Sequence, residues 1–410
     1  MTDKTESTLP INLHWFSNAM HVCTGYGNQS KLFVPRIAKL GYSVSMTAFY
    51  GLQGGAIVHD GIYVMPGGRH PWGQDVMVAN AVSQRADVLI SLVDALVIQP
   101  ERFQGSPVKW IPWFPIDCEP IKPLDLQAVK QAYKRIVFSK FALAELEKVG
   151  LDAYYVPHGV DTKVFKPVDR VKSRQMLNWP ADRFIVGMVA ANKGFPPRKA
   201  FVEQIIAFAA FHKHHPDALL YLHTDDGSHG GDVTDLTGVL DAYGLTYGYA
   251  SGAPIPDEVA VVFCDQHIYA SVGFSDAYMN AAYNGMDVHM LVSAGEGFGI
   301  PIVEAQAAGC PVIVGDWTAM SELCFSGWKI PKSEATQTFT QWRTFQWYAR
   351  PEAVYERLEA AYRMRGNQEY RDRARKGALA YDADKVTEKY WRPVLADISE
   401  RVNAWKVPNG

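Results

Sequence analysis

A chain of 410 residues with 48 % hydrophobic content is longer than one ordinary core supports, so two globular domains are expected. With 40 basic residues against 43 acidic and a formal charge of -3, no global field recruits nucleic acid or an anionic membrane. The five cysteines, Cys23, Cys118, Cys264, Cys310 and Cys324, are odd in number and unpaired in spacing, which argues against a disulfide framework and a zinc site.

The N-terminus MTDKTESTLP is polar, and no apolar run reaches the roughly 18 residues that cross a bilayer, so a soluble cytoplasmic protein is expected, with peripheral membrane contact left open. INLHWF then reads as a strand, TGYGNQSK as a glycine-containing turn, KLFVPRIAKLG as a helix closed by Gly41, and YSVSMTAFY as the next strand. Short apolar runs continue at ADVLISLV, VKWIPWF and KRIVFS, the alternation of a parallel sheet covered by helices. ALAELEKVG reads as a helix, and AYYVPHGVD as a strand entering a loop.

The alternation restarts with RFIVGMVAA as a strand, RKAFVEQIIAFAAFHKHH as an amphipathic helix and ALLYLHTDD as a strand, followed by strands at VAVVFCD, DVHMLVS and PVIVGD. Each half therefore reads as a doubly wound α/β unit, with a hinge near Pro167 to Arg170 and domains at 1–169 and 170–382. The tail 383–410 has helical periodicity despite Pro393 and is expected to pack back on the first domain.

The segment Asp287 to Asp316, DVHMLVSAGEGFGIPIVEAQAAGCPVIVGD, carries the most chemistry. A buried strand ends at Ser293, a glycine turn follows at Gly295, Gly297 and Gly299, Pro301 suits a first helical turn, and Gly309 closes the helix. Such a turn offers backbone N–H groups at a positive helix terminus, a ready place for nucleotide phosphates. Glu296 and Glu304 lie eight positions apart on either side of the helix start, where carboxylates would accept hydrogen bonds from sugar hydroxyls. The plainer alternative makes Glu304 a complement to the helix dipole and Glu296 a solvated turn residue.

Glu296-x7-Glu304 within GEGFGIPIVEAQAAGCPVIV, with PHGVDTKVFKP from Pro157 to Pro167 and PPRKAF from Pro196 to Phe201, resembles the retaining GT-B glycosyltransferases of family 4. The resemblance implies two Rossmann-like domains facing a cleft, an N-terminal acceptor domain, and a C-terminal domain holding a nucleotide-diphosphate sugar. Glu296 would match the acid on the donor sugar and Glu304 the acid on the ribose. Gly297, Phe298, Gly299 and Ile300 would match the turn whose amides meet sugar and diphosphate.

Arg198 and Lys199 are read at the start of a helix, where the dipole disfavours cations unless an anion binds, and fixed cations there would stabilise a departing diphosphate without a metal. Relatives usually carry an arginine a few residues earlier. Asn192 and Lys193 stand there instead, which leaves the second cation between Arg198 and Lys193. Gly25 and Gly27 would let first-domain backbone approach the ligand. Many relatives end the strand corresponding to VKWIPWFPID with a histidine. Here Asp117 is the nearest ionisable group, read either as an acceptor-orienting or acceptor-deprotonating residue or as a cap.

His14, His158 and His223 read as structural histidines; Asp225 and Asp226, and Asp117 with Glu119, read as turn or cap residues rather than metal ligands. Trp110, Trp113, Phe114, Trp317 and Trp328 read mainly as core. The expected activity is metal-independent transfer, with retention, from a nucleotide sugar to a hydroxyl of unassigned acceptor, with no cofactor. The alternatives are a GT-B hydrolase or epimerase of sugar nucleotides and a non-catalytic sugar-nucleotide-binding protein.

Overall fold

A computed structural model describes residues 10–194 and 197–406; Met1 to Leu9 of the polar N-terminus, Pro196 of the PPRKAF motif and the last four residues of the tail lie outside the described residues. The chain divides into two compact α/β units, one of residues 1–116, 121–159 and 383–410, the other of 117–120 and 160–382.

The first unit holds eight strands: β1 (Asn12–Asn18), β2 (Ser43–Tyr50), β3 (Ile57–His59), β4 (Ile62–Pro66), β5 (Val88–Leu92), β6 (Lys109–Phe114), β7 (Ile136–Val137) and β8 (Tyr154–Tyr155). They lie in the order β3-β4-β2-β1-β5-β6-β7-β8, parallel except for β3 against β4. β1 and β5 are buried along almost their whole length, the pattern of a sheet covered on both faces. His14 fits such a strand because its two ring nitrogens meet Ser45 Oγ and Thr47 Oγ1 at 2.8 Å each. Burial lowers its pKa to about 3, so it stays neutral.

The stretch TGYGNQSK is not a turn before a helix. Thr24 already caps a helix, Gly25–Lys39, its hydroxyl accepting the Gly27 N–H at 3.0 Å. A Cβ on Gly27 would stand 2.4 Å from the Val22 carbonyl oxygen, so this glycine is required by the folding of its own loop.

The tail belongs to this first unit. Helices cover Ala383–Val386 and Arg392–Lys406 with a wider π-turn between them. Trp391 in that turn packs at 4.9 Å from Trp113 and 5.8 Å from Trp15, and Arg36 pairs with Asp384 at 2.8 Å.

The second unit contains β9 (Phe184–Val189), β10 (Ala218–His223), β11 (Tyr247–Tyr249), β12 (Val261–Phe263), β13 (Val288–Leu291), β14 (Val312–Gly315) and β15 (Gly327–Ile330), all parallel in the order β11-β12-β10-β9-β13-β14-β15. A separate antiparallel hairpin, β16 (Ala335–Phe339) with β17 (Phe345–Ala349), follows. Sheet order reverses between β9 and β13, and in an open parallel sheet the ligand crevice lies outside the carboxyl ends of such strands.

Residues 160–169, expected with the first domain, sit in the second. Lys166 N–H donates to Asn280 Oδ1 at 3.0 Å, Val168 N–H to Asn284 Oδ1 at 2.8 Å, and Arg375 to the Phe165 carbonyl at 2.7 Å. Backbone groups that leave water need partners, and these side chains capture the segment. Among the described residues no helix is long and apolar enough to cross a membrane.

A buried ion pair braces β9 and β13. Arg174 donates to the carbonyls of Gly285, Ala181 and Arg183 at 2.9, 2.7 and 2.9 Å and to Asp287 Oδ2 at 2.8 Å, and that oxygen also accepts the Ile185 N–H at 2.8 Å. Arg170 pairs with the other Asp287 oxygen, so removing Arg174 takes away one of two cations from a buried carboxylate and the donor of three carbonyls. Arg174→Ala should cost about 3–5 kcal/mol, read by calorimetry of the folded chain. A loss below about 1 kcal/mol would show that Arg170 alone meets the Asp287 charge.

Candidate functional site

Two loops leave the sheet at its reversal. After β9 the chain passes Asn192 and reaches Arg198 and Lys199 before the helix Phe201–His214; after β13 it passes Ser293 and Glu296 before the helix Ile300–Ala307. The Ala294 N–H donates to the Arg198 carbonyl at 2.7 Å, tying the loops together. Arg198 and Lys199 precede the helix rather than open it, because Ala200 takes the cap position with φ +50°. Their charges therefore do not oppose its dipole from within the first turn.

Glu296, 4 % exposed, is the hub. Its Oε1 receives Lys199 Nζ at 2.5 Å and the Ser293 hydroxyl at 2.6 Å, and its Oε2 receives Arg198 Nη1 at 3.2 Å. Arg198 also donates to the Gly295 carbonyl and lies with its Nε 3.5 Å from Asp117 Oδ2. Burial works to raise the Glu296 carboxyl, but the Lys199 and Arg198 charges and the hydrogen bonds outweigh it, holding the pKa down to about 2. Burial also lowers the Lys199 ammonium, against the attraction of Glu296. Two cations meet two carboxylates, so the cluster is formally neutral, and an incoming diphosphate would compete with Glu296 and Asp117 for the same donors.

Asp117 thus stands beside Arg198 in the second unit. Its carbonyl oxygen lies 1.9 Å from where a Cβ on Gly295 would be, so the glycine is needed for this approach. Its neighbour Glu119 pairs with Lys332 at 2.8 Å and joins the edge of β17 through the Phe345 backbone, at 2.7 and 3.2 Å.

The helix Ile300–Ala307 starts at Gly299, φ +103°, which has no side chain to cap it. The first N–H groups of a helix have no intrahelical acceptor, so the Gly297 to Ile300 turn is suited to an anion. The Phe298 ring does not serve that purpose: it is 3 % exposed and packs 5.8 Å from Tyr381, leaving only its backbone for a ligand.

Glu304 lies one turn into this helix and accepts the Tyr283 hydroxyl at 2.9 Å. Burial pushes its pKa up to about 7, with Tyr283 pulling down and the Asp276 charge adding to the rise.

Asn192 proves structural. Its amide donates to the Thr234 carbonyl at 2.7 Å and the Asp225 carbonyl at 3.2 Å, and its oxygen accepts the Thr234 N–H at 3.1 Å, which occupies it in holding the loop after β10. Lys193 is exposed, and Arg198 is the cation joined to Glu296 alongside Lys199. Gly25 and Gly27 lie in the first unit on the helix after β1. Asp225 and Asp226 close turns onto Gly227 and Ser228 at 2.8 and 2.9 Å, and among the described residues no group of three or more His, Cys, Asp or Glu is gathered for a metal.

Three contributors escaped the sequence reading: Ser293, Tyr283 and Thr318, whose Oγ1 accepts the Glu296 N–H at 3.0 Å. Ser293 had a usable signal, a small hydroxyl at the strand end three residues before the acid; Thr318 had none.

Residues 258–341, which include both acids, match the family model of glycosyl transferases group 1. The fold is GT-B. Sucrose-phosphate synthase from Thermosynechococcus elongatus superposes with a TM-score of 0.68 at 15 % identity, covering 96 % of this chain and 99 % of that one. The Anabaena protein HepE, solved with UDP and glucose, gives 0.66 at 16 % identity over 94 % and 100 %. α,α-Trehalose 6-phosphate synthase from Burkholderia multivorans gives 0.67 at 10 % identity over 98 % and 99 %. No curated protein matches the sequence. The family match covers one segment of the second unit, and the superpositions show the fold. Arg198 and Lys199 lie outside the matched segment, and the structure shows them in ion pairs with Glu296.

The Glu304 carboxyl carries a signed consequence. Its folded-state pKa of about 7 exceeds the ordinary 4.5, so its stability contribution is complete below the ordinary value and lost as pH rises through about 7. Glu304→Gln, permanently neutral, should lose less stability than the parent between about pH 5 and pH 8. Thermal unfolding across that range measures it; a Tm difference independent of pH would mean that Glu304 ionises as an ordinary carboxyl.

Proposed function

We propose that this protein transfers a sugar from a nucleotide-diphosphate donor to an acceptor hydroxyl, with retention at the anomeric carbon and without a metal ion. The observation that carries the reading is the ionised Glu296 at the sheet reversal, bound by Lys199 and Arg198 beside a glycine turn that opens a helix. Breaking the glycosidic bond leaves charge on the diphosphate. Arg198, Lys199 and the turn's N–H groups supply preorganised positive potential for it. Glu296 bears on the transferred sugar, whose ring gains positive charge at the transition state, and Glu304 accepts from the ribose. The carboxylate form accepts such hydrogen bonds more strongly than the acid, so donor binding favours release of the Glu304 proton. Asp117, held beside Arg198, is the nearest carboxylate to orient or deprotonate an acceptor hydroxyl. Retention rests on the family resemblance.

The deciding experiment incubates the protein with a panel of UDP-, GDP- and ADP-sugars, UDP-glucose among them, in excess EDTA. One donor should be consumed, slowly by water and faster with a panel of sugar acceptors, and proton NMR of the product should show the donor's anomeric configuration. Loss of turnover in EDTA that manganese restores, or an inverted product, would overturn the mechanism. Absence of both binding and turnover across the panel would overturn the functional reading.

The two acids should fail in different ways. Glu304→Gln should weaken UDP binding about tenfold or more, in line with the roughly 1.5–3 kcal/mol of a charged hydrogen bond, and appear mainly in KM. Glu296→Gln should leave UDP affinity unchanged or tighter, because the neutral amide competes less for Lys199 and Arg198, while kcat falls. Lys199→Ala should lower kcat by an amount on the order of 2.7–4 kcal/mol in barrier. Calorimetry with the order of the two acids reversed would mean that their roles are exchanged.

A further inference from the structure

The loop after β14 makes three consecutive contacts with the loop that carries Glu296. Trp317 Nε1 donates to the Ser293 carbonyl at 2.9 Å, Thr318 Oγ1 accepts the Glu296 N–H at 3.0 Å, and Ala319 N–H donates to the Glu296 carbonyl at 3.3 Å. Both backbone groups of Glu296 are thus bound by neighbouring residues of one segment. Trp317 and Thr318 are each 2 % exposed, so neither contact is replaced by bulk water.

Thr318 reaches this position at a cost. Its φ is +49°, a left-handed conformation that β-branched residues rarely adopt. Glycine would take it without strain, and asparagine with little. Neither offers a hydroxyl at this distance from the backbone, and a buried N–H without an acceptor is costly. The strained backbone and the hydroxyl acceptor are therefore one device.

We infer that Thr318 is a positioning residue that sets Glu296 against Lys199 and Arg198 by holding its backbone N–H, and that its left-handed conformation is retained for this purpose. The catalytic consequence rests on the donor-transfer reading above; the positioning itself does not. The Glu296 side chain meets its cations at 2.5 and 3.2 Å, and a small displacement of its Cα changes both. Loss of the hold should therefore act on the transition state more than on nucleotide binding.

Three variants separate position from stability. Thr318→Val keeps the shape and removes the acceptor, Thr318→Ser keeps the acceptor with less strain, and Thr318→Gly relieves the strain and removes the acceptor. Amide hydrogen exchange of the peptide spanning Ser293 to Gly299, read by mass spectrometry without any ligand, should quicken about tenfold at Glu296 in the valine and glycine variants and stay near the parent in the serine variant. With UDP-glucose, the valine and glycine variants should show kcat for donor consumption down about tenfold with UDP affinity within twofold, although the glycine variant unfolds no earlier than the valine one. The serine variant should restore kcat. Unchanged exchange at Glu296 in Thr318→Val would overturn the positioning role, and so would a kcat that follows Tm across the three variants. Altered exchange in a protein that neither binds UDP nor consumes UDP-glucose would uphold the positioning and count instead against the donor assignment.

Discussion

The contact on which the site depends is that of the Glu296 carboxylate with Lys199, Arg198 and Ser293. A carboxylate at 4 % exposure is tolerable only if its charge is met, and the surrounding loops are arranged to meet it. The loop after β9 supplies both cations, the end of β13 supplies the serine hydroxyl, and the loop after β14 supplies backbone partners. β17 joins the same loop through the Trp347 N–H on the Ala294 carbonyl at 3.0 Å. Three other stretches of the second unit converge on the one short turn from Ser293 to Gly299. The reversal of sheet order lets them do so, because it opens the space between the loops after β9 and β13.

The two acids of the motif illustrate how environment divides labour between like groups. Glu296 and Glu304 lie eight positions apart in one segment, and burial acts on both in the same direction. Two cations hold the first near 2, whereas the second, with only the Tyr283 hydroxyl to set against burial and Asp276, rises to about 7. One is a fixed negative charge at any physiological pH; the other can gain or lose a proton with its ligand. On the donor-transfer reading proposed above, the fixed charge would face the sugar ring as it becomes positive and the adjustable one the neutral ribose hydroxyls.

The neutrality of the unliganded cluster has a further meaning. Arg198 and Lys199 are not idle positive charges, since Glu296 and Asp117 already engage them. On the reading proposed above, a diphosphate with more charge than either carboxylate would draw them over, while a neutral sugar would not. The pairing would then favour ligands with a concentrated negative group, and it keeps the cations in place when no ligand is bound.

Much of this was legible in the chain. Apolar runs such as FIVGMV and VIVG marked strands because a sheet covered on both faces buries every residue along a strand, and GEGFGIP marked a tight turn into a helix because glycine and proline restrict backbone locally. Those are properties of neighbours in sequence. Asn192 looked like a ligand residue and its side chain braces the loop after β10, and residues 160–169 looked like the end of the first domain and are held by Asn280, Asn284 and Arg375. Thr318 and Tyr283 gave no sign of a role at all. In each case the deciding partner lies tens of residues away, and hydrogen bonding and desolvation depend on which groups meet in space. Sequence by itself therefore determined the elements, the two α/β halves and the acidic glycine turn; which cations face Glu296, and why Glu304 keeps its proton near neutrality, was decided only when the fold brought distant loops together.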